Sequence, residues 1–202
     1  MKSRGVAQIG NLARKQMAPS DIAFVLIQSP DDDEIAQLIA TQCAAIAAML
    51  HRRDLAYETL HINVVSRQSF YDVAAHLYGN AEIVHVAAHG DEAGIDTMRD
   101  ALTWEDVGAV LTKLVPPLSG KAKRVLCLSC CYSRCGYRAL RKTLQSRFTG
   151  IYCFRDNEVY FDTIMMVWSM FYGTKPLGQP ASKIKKRINR FFGRRTLEYH
   201  RL

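Results

Sequence analysis

Two short stretches of sequence determine the fold and point to its chemistry: EIVHVAAHG at residues 82–90 and KRVLCLSCCYSRCG at residues 123–136. Each contains an apolar run of strand length that ends abruptly in polar, reactive groups. The first run ends at His89, and the second ends at Cys130 and Cys131. Apolar runs of this kind are typical of parallel strands that helices cover on both faces. Because the carboxyl ends of such strands gather functional groups at one edge of the sheet, we expect a thiol and an imidazole to meet there.

Outside these two stretches, apolar runs with strand spacing and with helix spacing alternate along the chain. This alternation predicts a single α/β domain, a three-layer sandwich around a mostly parallel central sheet. Residues 159–172 are apolar on almost every side, so this helix should be largely buried. The other strands are expected at residues 22–28, 57–65 and 150–154, and the other helices at residues 31–52, 70–78, 104–114, 137–148 and 182–192.

The formal net charge of +8 is concentrated at the two ends of the chain. Residues 1–20 contain four basic residues and no acidic one, and residues 182–202 contain eight basic residues and one acidic one. The part between them is therefore mildly acidic, which argues against a central domain that binds nucleic acid by itself.

The basic C-terminal segment reads as an amphipathic helix with one packed face and one positive face. Its positive face is either simply solvated or binds an acidic partner, a nucleic acid or an anionic lipid surface. The apolar residues at helical spacing are Ile184, Ile188, Phe191 and Phe192.

The composition gives no sign of a membrane or secreted protein. No apolar run reaches the roughly 18 to 20 residues that a transmembrane helix needs. Residues 1–20 lack the apolar core of a secretory signal, so we expect a cytoplasmic location and reduced thiols for the six cysteines.

The cysteine cluster allows three interpretations. A cysteine with a histidine beside it is the minimal nucleophile and base pair of a cysteine hydrolase. A buried structural thiol is the second interpretation, because free cysteine is among the most buried residue types. The spacing of Cys127, Cys130, Cys131 and Cys135 also resembles a zinc-binding pattern, but residues three apart on a strand point to opposite faces. We therefore expect no metal and no cofactor.

Several motifs, taken in order, resemble those of caspase-like (clan CD) cysteine proteases, above all the bacterial CHAT-domain branch. The likeness runs from about residue 22 to residue 190. The first motif is a strand that ends in His-Gly, and it is followed by a Leu-Thr stretch at the start of a helix. A strand that ends in a small residue and cysteine comes next. The last motifs are a strand, an acidic turn and an apolar helix. The segments are 84–90 (VHVAAHG), 102–107 (LTWEDV), 125–131 (VLCLSCC), 152–158 (YCFRDNE) and 171–176 (FYGTKP).

The resemblance implies specific roles. It makes Cys131 the nucleophile and His89 the general base, with the backbone N–H groups of Gly90 and Cys131 as the oxyanion hole. Two positions depart from the family pattern: Cys130 stands where the family usually has alanine, and Gly136 comes later than the family's glycine.

Acidic residues in the loops that border the specificity pocket of this fold suggest a preference for lysine or arginine before the scissile bond. These residues are Asp31, Asp32, Asp156 and Glu158. A partly desolvated carboxylate pairs well with a guanidinium group. The alternative is that these acids only cap the helices that follow them.

The resulting hypothesis is a cysteine endopeptidase of a bacterial defence (antiviral) or cell-death system, acting on protein or peptide and switched on by a partner, a ligand or self-cleavage. The alternatives are a catalytically idle caspase-like binding scaffold and a nucleic-acid-associated protein that acts through its basic ends. The expected organisation is a basic N-terminal arm (1–20), a caspase-like, CHAT-like catalytic domain (21–181), and a basic C-terminal helix and tail (182–202).

Overall fold

The computed structural model describes residues 22–29, 33–51, 58–75, 78–174 and 180–202. The N-terminal arm and the candidate pocket residues Asp31 and Asp32 lie outside these described residues. Within the described residues, no helix combines the length and the apolar character that crossing a membrane requires.

The centre of the protein is a six-stranded sheet in the order β2-β1-β3-β6-β7-β8. Five of its strands run parallel and β8 pairs antiparallel with β7, which confirms the predicted mostly parallel α/β sheet. The strands are β1 (Ile22–Ser29), β2 (Glu58–Asn63), β3 (Ile83–Ala88), β6 (Val125–Ser129), β7 (Gly150–Phe154) and β8 (Leu197–Arg201), and a separate hairpin consists of β4 (Gly94–Asp96) and β5 (Ala101–Thr103).

Helices cover both faces of the sheet, as the three-layer prediction requires. One face packs against α2, α3 and α4 and the other against α1, α5 and α6. β3 and β6 are buried along their whole length, because apolar side chains on both of their faces contact these two helical layers. The helices are α1 (Asp33–His51), α2 (Arg67–Val73), α3 (Trp104–Leu114), α4 (Ser133–Leu144), α5 (Phe161–Tyr172) and α6 (Ala181–Phe191).

The C-terminal residues contribute both a helix and a strand. Ile184 and Ile188 of α6 are buried, as their spacing predicts. Phe191 is 60% exposed, so the prediction that it lies on the packed face of the helix was wrong. After a turn at Gly193, β8 completes the sheet, although the sequence had suggested only a tail there. The tail forms a strand because its backbone can pair with the free edge of β7, and its side chains then alternate between the two faces of the sheet.

A buried polar network holds β3 and β6 together from the α1 side. His85 of β3 is fully buried and edge-on to Trp168. The Gln42 side-chain amide of α1 lies 3.0 Å from His85 Nε2 and donates to Ser129 Oγ of β6 at 2.7 Å. The Tyr172 hydroxyl lies 3.0 Å from His85 Nδ1. His85 is therefore a core histidine whose two ring nitrogens both have partners.

Burial of this ring should make the protein's stability depend on pH. Burial lowers the pKa of His85 from 6.5 to about 3. Between these two pH values the unfolded chain binds one proton more than the folded chain, so the free energy of unfolding falls as the pH falls through this window. The expected slope from this group is at most about 1.4 kcal/mol per pH unit.

Chemical denaturation of the wild type and of His85→Asn between pH 8 and pH 4 measures this dependence. The variant should be less stable at pH 8, by about 1–3 kcal/mol, because it loses buried hydrogen bonds. Its stability should also fall less steeply below pH 6.5. Parallel curves for the two proteins would show that His85 does not control the acid sensitivity.

Candidate functional site

The two strands that end in the candidate residues are neighbours in the sheet. β3 pairs with β6 in parallel, and the register places Ala87 beside Ser129. His89 and Cys131 each follow two residues later, so both leave the sheet at the same, carboxyl edge. Both are partly exposed, whereas the strands behind them are buried. The structure therefore places the predicted thiol and imidazole at one edge, one after each strand.

Gly90 allows the His89 loop to approach the Cys131 turn closely. A Cβ atom at position 90 would lie only 2.9 Å from the Cys131 carbonyl oxygen and 3.2 Å from Cβ of Cys130. Gly90 forms a bridge with Ile95 of the hairpin, and the hydrogen bonds of that bridge are made by the residues on either side of Gly90. The N–H group of Gly90 consequently points away from the hairpin.

The turn that carries Cys131 is strained and firmly anchored. Tyr132 has φ 52° and ψ 18°, the left-handed region, which costs a non-glycine residue about 1 kcal/mol or more. Its N–H group donates to the Asn157 carbonyl at 2.6 Å, and the Ser133 hydroxyl accepts from the Phe154 N–H at 2.9 Å. These two bonds fasten the turn to the end of β7. Such strain next to a reactive side chain is typical of functional sites.

A cavity of about 610 Å³ opens beside Cys131. Cys131, Tyr132 and residues 156–160 line it. The Cys131 thiol donates weakly to the Val159 carbonyl, with Sγ 4.0 Å from the oxygen. A substrate chain in this cavity would therefore lie against the partly exposed Cys131 thiol and against the loop that follows β7.

The acidic candidates have different places. Asp156 and Glu158 both line the Cys131 cavity, and a smaller neighbouring cavity of about 100 Å³ shares them. Asp156 pairs with Arg194 of the turn before β8, at 3.4 Å between Oδ2 and Nη1. The side chains of Asp156 and Arg194 are 45% and 62% exposed, respectively. The ion pair therefore contributes at most about 1 kcal/mol to stability, and another cation can replace Arg194.

The structure also brings together a second cysteine and histidine, which the sequence did not suggest. Cys153 of β7 lies close to Glu198 and His200 of β8, with the ligand atoms of all three within 4.8 Å of one another. Burial raises the pKa of the Cys153 thiol to about 12, and its side chain is 0% exposed, so it is a poor nucleophile. The signal in the sequence was the alternation in LEYHR, which places Glu198 and His200 on one face of a strand.

Two other cysteines near the site are buried in the hydrophobic core. Cys127 packs in the core formed with α1, α5 and α6, and Cys130 packs in the core on the opposite face of the sheet. The argument against a zinc site that uses both is confirmed. Burial, followed by the nearby Cys131 and Cys153, raises the pKa of Cys130. All six cysteines are free thiols.

No protein-family model matches the sequence, and no curated protein matches it. The fold does resemble solved structures. One is the X-ray structure of a secreted C11 cysteine protease from Bacteroides thetaiotaomicron in complex with an irreversible peptide inhibitor. The TM-score is 0.56 at 12% sequence identity, and the match covers 84% of this chain but only 58% of that protease. At this identity the similarity concerns the fold, which is the caspase-like α/β fold.

The placement of the thiols predicts their order of reaction with iodoacetamide. In the folded protein, Cys131 and the partly exposed Cys135 should be alkylated first, and the four buried thiols only as fast as local unfolding exposes them. His89→Ala should slow alkylation of Cys131 by about tenfold, because a nearby imidazole favours the thiolate, and should leave Cys135 unchanged. Mass spectrometry of tryptic peptides over a time course measures each rate. Equal effects of His89→Ala on both thiols would argue against a Cys131–His89 pair.

Proposed function

We propose that the protein is a cysteine endopeptidase that uses Cys131 as nucleophile and His89 as general base. The observation that carries the proposal is the parallel pairing of β3 with β6, which brings both residues to one edge of the sheet. The cavity beside Cys131 gives a peptide chain room to bind. The similarity of the fold to a cysteine protease that binds a peptide inhibitor supports the same reaction class.

The proposed chemistry follows from this arrangement. His89 takes the thiol proton while Cys131 Sγ attacks the carbonyl carbon of the scissile bond. The oxyanion that forms accepts hydrogen bonds from the N–H groups of Gly90 and Cys131, each worth roughly 3 kcal/mol in the transition state. The protonated His89 then gives its proton to the leaving amine, which departs and leaves a thioester. A water molecule, deprotonated by His89, attacks the thioester and releases the carboxylic acid and the free thiol.

We propose that the substrate carries lysine or arginine before the scissile bond. Asp156 and Glu158 line the cavity next to Cys131 and carry carboxylates that are not buried. Asp156 already pairs with a guanidinium group of the protein itself, that of Arg194. A substrate cation could take over this contact, because an exposed ion pair is weak. Asp31 and Asp32 remain candidates for the same pocket.

The regulation and setting are proposed from the sequence. The CHAT-like motifs suggest a bacterial defence or cell-death protease, located in the cytoplasm and activated by a partner or ligand. An idle caspase-like scaffold is the competing function. An active-site-directed electrophile separates the two, because it labels a competent cysteine and not an idle one.

An anionic partner for residues 182–202 is supported by a groove at the opposite edge of the sheet. This groove of about 980 Å³ is bordered by Lys185 of α6 and Arg201 of β8, together with Lys121 and Lys123 from the loop before β6. Of the described charged residues along it, only Glu82 is acidic. Binding of a nucleic acid or another polyanion there would weaken steeply with salt.

Substitutions test the assignment of the dyad. Cys131→Ala should reduce peptide cleavage to background, and His89→Ala should reduce it by about 10²- to 10⁴-fold. Both residues are partly exposed, so the free energy of unfolding should change by no more than about 0.5 kcal/mol. A library of peptides that differ in the residue before the scissile bond provides the assay.

Two neighbouring cysteines serve as matched controls for this test. Cys130→Ala should retain most activity, and Cys153→Ala should do the same, because neither thiol reaches the cavity. If Cys153→Ala were inactive and Cys131→Ala active, the buried pair on β7 and β8 would be the catalytic one. If Cys130→Ala alone were inactive, the nucleophile would be the preceding residue.

Opposite substitutions in the Asp156–Arg194 pair test the specificity. Asp156→Ala should lower kcat/KM for arginine or lysine substrates by about 10- to 100-fold, equivalent to about 1–3 kcal/mol, and should change it little for neutral substrates. Arg194→Ala frees the carboxylate and should raise kcat/KM for the same basic substrates. Cleavage after aspartate or small apolar residues by the wild type would refute the basic preference.

A further inference from the structure

The cluster of Cys153, Glu198 and His200 on the last two strands takes no part in the proposed protease chemistry. β7 and β8 pair so that Cys153 lies directly opposite Glu198, and His200 lies opposite Ile151. Side chains two residues apart on a strand share a face. The thiol, the carboxylate and the imidazole therefore project together from one face of the sheet, toward α4.

These three side chains offer sulfur, oxygen and nitrogen atoms at a mutual distance suited to a small cation. All three candidate ligand atoms lie within 4.8 Å of one another, and His200 Nε2 is 3.1 Å from Glu198 Oε2. Atoms that share one zinc ion lie about 3 to 4 Å apart, given zinc–ligand distances of about 2.0–2.3 Å. Small rotations of these side chains would close the remaining gap.

The three side chains of the cluster are largely enclosed by the protein. Cys153 is fully buried, and the side chains of Glu198 and His200 are only 18% and 25% exposed. A dication bound here would stabilise a thiolate directly.

Residues of α4 support the cluster from the other side. The Tyr137 ring stacks on His200 with centroids 3.8 Å apart and planes at 11°, which fixes the orientation of the imidazole. Arg134 Nε lies 3.4 Å from Glu198 Oε2. Arg134 is 40% exposed, so it can keep one carboxylate oxygen or turn outward when a cation takes the other.

We propose that Cys153, Glu198 and His200 bind a zinc ion, with a water molecule in the fourth position. The mixture of thiolate, imidazole and carboxylate ligands is one that zinc prefers, and three protein ligands leave one position open. On binding, the Cys153 S–H bond breaks, its proton goes to solvent, and an S–Zn bond forms. His200 binds through Nε2 and carries its proton on Nδ1.

The zinc ion would link the antiparallel edge strand β8 to β7. In the sequence alone, β8 is part of the basic C-terminal tail. The site is independent of the proposed dyad, since Cys131 belongs to the turn after β6. The competing explanation is a simple ion-pair network of Arg134, Glu198 and His200 beside a buried thiol. Metal binding distinguishes the two explanations without any measurement of protease activity.

Cobalt(II) is the probe, because a cobalt–thiolate bond gives a near-ultraviolet charge-transfer band and four-coordinate cobalt gives intense visible bands. The full chain carrying Cys131→Ala is titrated, so that the thiol and imidazole of the proposed dyad cannot act as a second metal site. We expect both sets of bands at one equivalent of cobalt and their loss when zinc is added. Zinc should also raise the Tm, because a ligand that binds only the folded state stabilises it.

Further substitutions in the same background assign the ligands. Adding Cys153→Ser should remove the charge-transfer band, and adding His200→Ala should weaken cobalt binding by at least about tenfold. Cys135 is a partly exposed thiol outside the cluster. Adding Cys135→Ser should therefore change neither the charge-transfer band nor the affinity for cobalt. The proposal is overturned if no charge-transfer band appears at saturating cobalt, if it persists with Cys153→Ser, or if it disappears with Cys135→Ser. Should Cys153→Ser fail to fold, the His200→Ala variant decides the question by itself, because the His200 side chain is 25% exposed and less tightly packed than Cys153.

Discussion

The in-register parallel pairing of β3 with β6 is the constraint on which the candidate site depends. It aligns the ends of the two strands, so that His89 and Cys131 leave the sheet side by side. Gln42 reinforces this register from α1, because its amide contacts both His85 of β3 and Ser129 of β6. A shift of one residue between the strands would turn the apolar and polar side chains to the wrong faces and would break this buried network.

The proposed Cys131–His89 dyad and the Cys153–His200 cluster place the same residue types in different surroundings. Cys131 is partly exposed at a sheet edge, beside a cavity and a strained turn. Cys153 is enclosed between β7, β8 and α4, where an unpaired thiolate would be costly. The first setting favours attack on a substrate, and the second favours a thiol that either stays protonated or binds a cation. The same residue types therefore support different proposals.

The charges of the molecule are divided between the two edges of the sheet. Carboxylates border the cavity at the carboxyl edge, and lysine and arginine side chains border the groove at the opposite edge. The C-terminal residues contribute to both, because Arg194 reaches Asp156 while Lys185 and Arg201 line the basic groove. β8 and α6 thus contribute to both candidate binding surfaces as well as to the core.

The sequence by itself determined most of the elements, because strand and helix periodicity are local properties. It predicted α3 and β7 with their observed bounds, and it predicted that His89 and Cys131 follow the ends of β3 and β6. Tertiary structure decided which strands are neighbours, since pairing depends on side chains far apart in the chain. The β4–β5 hairpin escaped prediction because three-residue strands have no periodicity to detect. Only folding placed Cys153 beside His200, because no local pattern links positions that antiparallel pairing brings together.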